Sequence, residues 1–288
     1  MSRRKEESGN IWKAIFVLLI IACLICVAVV GIYLLKDKKE EQQAVEQHEQ
    51  LVEEVVESVE ETEATIEDEK AALPIDFESL WEINPEIYAW IQIPDTNIDY
   101  PVLQHIDEDQ SYYLTRDIYG NTTSEGSIYT EYYNSKSFMD PNTILYGHNM
   151  KNGSMFHNIR YFTKQDYFDE HQEAYIYLPD KILKYEIIAC YEYDDRHLLA
   201  SFDFWNEEVY AQYLDEIMNP RSMSAIVRDE VVLTTDDSLI TLSTCVANKP
   251  NNRRLLQAVL KEEIEAEYRG QTDDRFVDTI EETSSETP

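Results

Sequence analysis

Three residue types that together can carry acyl transfer stand at the ends of apolar runs in this chain. Ser238-Leu239-Ile240-Thr241-Leu242-Ser243-Thr244 is rich in strand formers and ends in Cys245. Eight residues later comes Arg253, across the polar, turn-rich segment Asn248-Lys249-Pro250-Asn251-Asn252 and at the head of a second apolar run, Leu255 to Leu260. A strand, loop, strand layout with an antiparallel return brings the thiol and the guanidinium to one sheet edge. A nearby cation favours the thiolate, which is the nucleophilic form of cysteine. A third apolar strand, Ile144-Leu145-Tyr146, ends at Gly147-His148. A sulfur nucleophile, an imidazole to move protons and a fixed cation for a developing oxyanion form the set that thiol acyl transfer needs. Taken singly, each has a plainer explanation: a core cysteine, a solvated arginine, a structural histidine. The five other histidines, His48, His105, His157, His171 and His197, do not sit at the mouth of an apolar strand behind a glycine.

The elements that must hold these residues are mostly strands. Candidates are Tyr88–Ile93, Asp99–Leu103, Ser127–Thr130, Thr143–Tyr146, Ala174–Leu178, Leu183–Tyr191, Leu239–Thr244 and Leu255–Leu260. Eight strands separated by turn signals indicate a mainly β chain closed into a barrel rather than a parallel α/β sheet. A short helix capped by Asp76 carries Phe77, Leu80 and Trp81 and stops before Asn84-Pro85. Two helical insertions are expected, near Met155–Tyr161 and over Asn206–Met218, the second with Val209, Tyr210, Tyr213, Leu214 and Ile217 at helical spacing.

Outside this domain the chain changes character. Ala14 to Leu35 is an uncharged run of 22 residues, long enough to cross a hydrocarbon core that needs about 20. Arg3, Arg4, Lys5 and Lys13 precede it and Lys36, Lys38 and Lys39 follow, so the basic count does not fix an orientation. Cys23 and Cys26 lie within the run, as apolar filler or an acylation site. Glu40 to Glu69 is glutamate-rich and has no Gly, Pro or aromatic residue, which gives a charged stalk. Residues 271–288 are acidic, Ser/Thr-rich and poor in apolar side chains, the composition of a disordered tail. The expected division is therefore 1–13 N-terminal segment, 14–35 membrane anchor, 36–73 stalk, 74–262 catalytic domain and 263–288 tail.

The formal net charge is −33. Residues 1–73 carry 8 basic and 16 acidic groups and residues 261–288 carry 3 and 10, so the domain between them is itself acidic. Such a field disfavours nucleic acid and anionic surfaces. Only Cys190 and Cys245 lie in the domain, with no CxxC and no Cys/His cluster at zinc spacing, so neither a metal nor another cofactor is expected. Cys190 sits inside the apolar run Ile187-Ile188-Ala189-Cys190-Tyr191 and is expected to be buried and not bridged to Cys245.

Thr241-Leu242-Ser243-Thr244-Cys245, Tyr146-Gly147-His148 and Arg253 together resemble the sortases, and most of all class B. Asn84-Pro85-Glu86-Ile87-Tyr88-Ala89-Trp90-Ile91-Gln92-Ile93-Pro94, Thr96-Asn97-Ile98-Asp99-Tyr100-Pro101-Val102, Gly126-Ser127-Ile128-Tyr129 and Met155-Phe156 extend the likeness over about Phe77 to Leu260. The resemblance implies an eight-stranded sortase barrel with an N-terminal helix and a helix before the cysteine strand, tethered by the N-terminal helix with its catalytic domain outside the cell. It implies a cysteine transpeptidase that cuts a C-terminal sorting motif of a secreted protein after Thr and passes the thioester to an amine of the peptidoglycan. Cys245 is then nucleophile, His148 acid and base, and Arg253 holds the motif and its oxyanion. Arg253 is preferred over Arg254, which is expected to point to solvent. Tyr146, Ser243, Thr244 and Gln110 are implied along the substrate groove.

The chain departs from the pattern at four positions. Gln110 stands where class B members place an asparagine, Val246 replaces an acidic residue after the cysteine, Asp95 a glycine and Glu131 an aspartate. The first two leave the motif open between NPxTN-like and (S/P)PxTG-like signals. A cysteine peptidase releasing its product to water, a pilus-polymerising sortase and a tethered binding module are the alternatives.

Overall fold

The computed structural model describes residues 2–56, 71–107 and 109–267. Most of the expected stalk after residue 56 and the expected tail from residue 268 lie outside the described residues. The chain divides into two compact units, residues 1–50 and 51–288. The first belongs to helix α1 (Ser2–Val55). Its apolar stretch leaves Leu24, Val27, Ile32 and Leu35 exposed, and among the described residues this is the one helix long and apolar enough to cross a membrane.

The second unit is built on strands β1 (Ala71–Ala72), β2 (Ile87–Gln92), β3 (Asp99–Leu103), β4 (Ile128–Tyr129), β5 (Asn142–Tyr146), β6 (Glu173–Leu178), β7 (Lys181–Asp194), β8 (Ile226–Val227), β9 (Leu239–Val246) and β10 (Lys249–Glu267). Helices α2 (Phe77–Ile83), α3 (Gln165–Glu170), α4 (Leu198–Ser201) and α5 (Glu207–Met218) interrupt them, with 3-10 turns at Tyr112–Leu114 and Phe156–Thr163. Neighbouring strands run β10-β9-β5-β4-β3-β2-β6-β7, and the pairing of β7 with β10 closes the ring into an eight-stranded barrel. The short β1 and β8 only extend it at β10 and β7. The eight strands expected from the sequence are β2 to β7, β9 and β10. β10 runs on past the apolar Leu255–Leu260 segment because its polar end keeps pairing with β7 as far as Glu265 opposite Lys181.

Apolar side chains on both faces of these strands follow from what covers each face. Ile240, Leu242, Leu145, Leu256 and Ala258 fill the barrel interior. Their neighbours Leu239, Ile144, Leu255 and Val259 face outward beneath Tyr210, Tyr213, Leu214 and Ile217 of α5. Alternation along a strand makes the assignment unambiguous. A second outer cluster packs Phe77, Leu80 and Trp81 of α2, together with Leu51 and Val55, on Trp90, Leu103 and Tyr129. The α2 N-cap forms as expected, with Asp76 Oδ1 accepting from the N–H groups of Glu78 (3.0 Å) and Ser79 (3.2 Å). At Asp95 the backbone is left-handed (φ 60°), a conformation that glycine adopts without cost and aspartate tolerates better than most residues. That accounts for the resemblance placing a glycine there.

Beneath α5 lies a buried polar network. Gln257, fully buried on β10, donates from Nε2 to the hydroxyls of Tyr191 (3.0 Å) and Tyr213 (3.1 Å), and its Oε1 lies 2.6 Å from Thr241 Oγ1 on β9. It ties α5 to the strands that carry the cysteine and arginine. Removing a buried partner leaves the others unsatisfied at about 1–3 kcal/mol. Gln257→Ala is therefore expected to lose about 2–3 kcal/mol of stability in urea melts, with loss under 0.5 kcal/mol counting against the network.

Candidate active site

Cys245, Arg253 and His148 stand at the same end of three adjacent strands, β10, β9 and β5. Arg253 is directly opposite Cys245 in the antiparallel β9–β10 pair, so both side chains leave the same sheet face. That face is the outer one, shared with Thr241 and Ser243, just beyond the apolar cover of α5. Cys245 is exposed there. β5 runs parallel to β9, with Tyr146 opposite Ser243. The next residue, Gly147, donates its N–H to Ser243 O (3.2 Å), and Asn149 Nδ2 donates to Cys245 O (3.0 Å). His148 is thus bracketed by two bonds to the cysteine strand. Gly147 is needed on packing grounds, since a Cβ there would lie 2.5 Å from Ile128 Cδ1 and 2.7 Å from Phe156 Cδ2.

The imidazole has a defined orientation. His148 Nε2 lies 2.8 Å from Leu114 O. A carbonyl only accepts, so Nε2 carries the proton and Nδ1 is left to exchange protons. The Leu114 carbonyl comes from the turn Tyr112–Leu114, in the connection between β3 and β4. Gly126 packs against this turn with φ +60°. Arg253 Nη1 donates to the carbonyls of Pro250 (3.1 Å) and Asn252 (3.2 Å), which anchors the guanidinium to the first residues of β10.

The remaining expected residues separate by face. Tyr146 and Ser243 lie on the Cys245 side. Thr244 is only 3% exposed and has the inward parity of Ile240 and Leu242, so it is not brought to the groove. Gln110 is occupied at both ends of its amide: Oε1 accepts from Tyr132 N–H (2.8 Å) and Nε2 donates to Asp107 O (3.0 Å). Arg254 does not point to solvent as expected. It alternates inward at the barrel mouth, where its side chain is 12% exposed and Nη2 lies 2.9 Å from Glu192 Oε1 on β7. Lys249 joins the same carboxylate at 2.5 Å. Lys249 above all, and Arg254 beside it, hold the Glu192 carboxyl below its ordinary range. Cys190 is buried inside the barrel, donates to Ile159 O (3.7 Å) and has its thiol pushed up to about 12 by burial, which fits an inert core residue.

Sequence reasoning passed over a second cluster beside Tyr146. Glu131, nearly buried, accepts from Tyr146 Oη (3.4 Å) and from His197 Nε2 (2.8 Å). His197 Nδ1 accepts from Ala200 N–H (3.0 Å), so this histidine caps α4 in one neutral tautomer. The signals were an acidic residue following a short strand and a histidine preceding a helical turn, both too weak to separate from loop composition.

An exposed thiol at a strand end, an oriented imidazole and an arginine in register on an eight-stranded barrel are the groups that cysteine acyl transfer needs. The Sortase domain family matches residues 91–261. Sortase B of Listeria monocytogenes is 33% identical over 174 residues, 60% of this chain and 68% of that protein. Sortase B of Staphylococcus aureus is 32% identical over 171 residues, 59% of this chain and 67% of that one. The crystal structure of Clostridium perfringens sortase B superposes with a TM-score of 0.58 at 31% identity, covering 65% of this chain and all (100%) of that chain. Sortase B of Bacillus anthracis gives 0.62 at 28% identity, covering 78% and 98%. The chain belongs to the sortase family, class B, whose members are cysteine transpeptidases.

Two outcomes test the supports of this site. A Cβ at Gly126 would lie 2.4 Å from the Leu114 carbonyl oxygen that holds His148. Gly126→Ala is expected to cost about 1–3 kcal/mol through left-handed strain and the clash, and to lower kcat more than the change in folded fraction explains. Unchanged kcat in the folded variant would show that the Leu114–His148 contact does not bear on activity. For Glu192 the folded pKa is depressed, so its contribution is present above the ordinary carboxylate pKa and is lost as pH falls through the lower one. Glu192→Gln should melt below wild type at pH 7, and the gap should begin to narrow near the ordinary carboxylate pKa of about 4.3 and close at lower pH. A gap independent of pH would refute the ionic contribution.

Proposed function

We propose that Cys245, His148 and Arg253 are the catalytic residues of a membrane-anchored sortase that joins secreted proteins to the cell wall. The observation that carries this reading is the exposed Cys245 opposite Arg253 in register, with the His148 turn bonded to the cysteine's own carbonyl. The Cys245 thiolate attacks the threonine carbonyl of a C-terminal sorting motif, forming a C–S bond and an oxyanion. Arg253, tied to its turn, presents a fixed positive charge to that oxyanion and to the motif backbone. When the tetrahedral species collapses, the peptide C–N bond breaks and His148 delivers the Nδ1 proton to the leaving amine. A cell-wall amine then attacks the thioester, gives its proton to Nδ1 and releases the thiolate. Cleavage and rejoining use the same three groups, so the product is a new amide bond.

Tyr146, Ser243 and Gln110 line the approach to Cys245 in this reading. Thr244 is left out because alternation turns it inward. The motif is NPxTN-like or (S/P)PxTG-like and the acceptor is an amine of a peptidoglycan precursor or cross-bridge. The apolar part of α1 anchors the enzyme with its N-terminus inside and residues 74–262 outside. The spacer lies between them, and the acidic segment after 263 takes no part in the chemistry. The route is carried by these side chains and calls on no metal or cofactor.

Labelled motif peptide incubated with and without an amine acceptor distinguishes transfer from hydrolysis. Acceptor-dependent amide product is expected, and hydrolysis indifferent to the acceptor would favour a peptidase. Mass spectrometry of the trapped acyl-enzyme should show a loss of at least about tenfold, or 1.4 kcal/mol, in Arg253→Ala. Arg254→Ala should acylate normally once corrected for folded fraction, and equal loss in both would undo the Arg253 assignment.

A further inference from the structure

The parallel ladder between β5 and β9 ends in an unusual way. Its last main-chain rung is Gly147 N–H to Ser243 O, at 3.2 Å. In a parallel pair the next rung lies two residues on, from the N–H of residue 149 to the carbonyl of residue 245. The main chain does not make it. By then the backbone has left the sheet: Asn149 bridges to Met155, and the His148 carbonyl accepts from Phe156 N–H (2.9 Å). The side chain of Asn149 fills the vacated place instead, donating from Nδ2 to Cys245 O at 3.0 Å.

We propose that Asn149 is a positioning residue for transpeptidation, its amide substituting for a missing rung of the sheet and so fixing the His148 turn relative to Cys245. The inference rests on the catalytic reading of Cys245 and His148 above. The backbone must turn away at residue 148 for the imidazole to reach out and meet Leu114 O. A turn that leaves the ladder ordinarily loses its register with the neighbouring strand. Here the register is kept by a group that consumes no backbone donor. Leu114 sets the rotation of the ring, whereas Asn149 sets its distance from the strand that carries the sulfur. Asn149 is half-buried and its bond is a single neutral one, so it adds little to global stability. A displacement of about 1 Å at a reacting group can cost on the order of 100-fold in rate, so a small structural contribution supports a large kinetic one.

The test compares Asn149→Ala and Asn149→Leu with wild type, His148→Ala and Cys245→Ala, on the full chain with a labelled motif peptide and an amine acceptor. Leucine keeps the branched outline of asparagine and lacks the donor. Both Asn149 variants are expected to lose about 10- to 100-fold in kcat with KM within about twofold and with melting temperature nearly unchanged. The pH profile of Cys245 alkylation by iodoacetamide should move toward that of His148→Ala. Wild-type kcat and alkylation profile in Asn149→Leu, beside an inactive Cys245→Ala, would overturn the proposal alone. Activity surviving in Cys245→Ala would overturn the catalytic reading and this proposal with it.

Discussion

Everything at the active end of this barrel depends on the register between β9 and its two neighbours. Tyr146 opposite Ser243 on one side and Arg253 opposite Cys245 on the other place residues separated by about a hundred positions at one sheet edge. A slip of one residue would turn Cys245 inward and bring Thr244 out, because side chains alternate strictly. The register is held by burial on both faces. Ile240 and Leu242 can only fill the interior, and Leu239 can only lie under α5. The placing of Cys245, Arg253 and Tyr146 is therefore a consequence of how hydrophobic residues are distributed along an eight-residue strand.

The three strands are not equally supported. β10 is paired along its length with β7 and β9, and Gln257 locks it to α5 and to Thr241. β5 is five residues long, and its continuation beyond Tyr146 depends on Gly147, Asn149 and the Leu114 carbonyl. The arginine and cysteine are thus presented by the rigid wall of the barrel, and the histidine by a turn bonded onto it. Such a division suits the proposed route, in which sulfur and guanidinium stay aligned through both half-reactions while the imidazole serves a leaving amine and then an entering one.

Much of this was legible in the sequence, for identifiable reasons. The strands announce themselves as apolar runs bounded by Asn, Pro, Gly and Asp, and Asp76 and Asn206 mark helix starts that the structure bears out. That Cys245, His148 and Arg253 stand at one end of the barrel was readable because each follows or heads an apolar run. Thr244 and Arg254 show where closer reading was open: counting alternation from Cys245 sends both to the opposite face. What Arg254 meets there, Glu192 on β7, required knowing that β7 and β10 close the barrel. Leu114 was beyond reach altogether, since it contributes a main-chain carbonyl and leaves no side-chain signature. The short helix α4 and its cap His197 were invisible for a similar reason, four residues being too few to carry a period.

The sheet also keeps its two sulfurs apart. Cys190 faces into the packed interior and Cys245 faces out, on strands whose side chains alternate. A bond between them would require one strand to be turned over. Under oxidising conditions the barrel therefore offers Cys245 no disulfide partner of its own. Its vulnerability is confined to small oxidants and external thiols that approach from solvent, and a disulfide formed that way is open to the same solvent for repair.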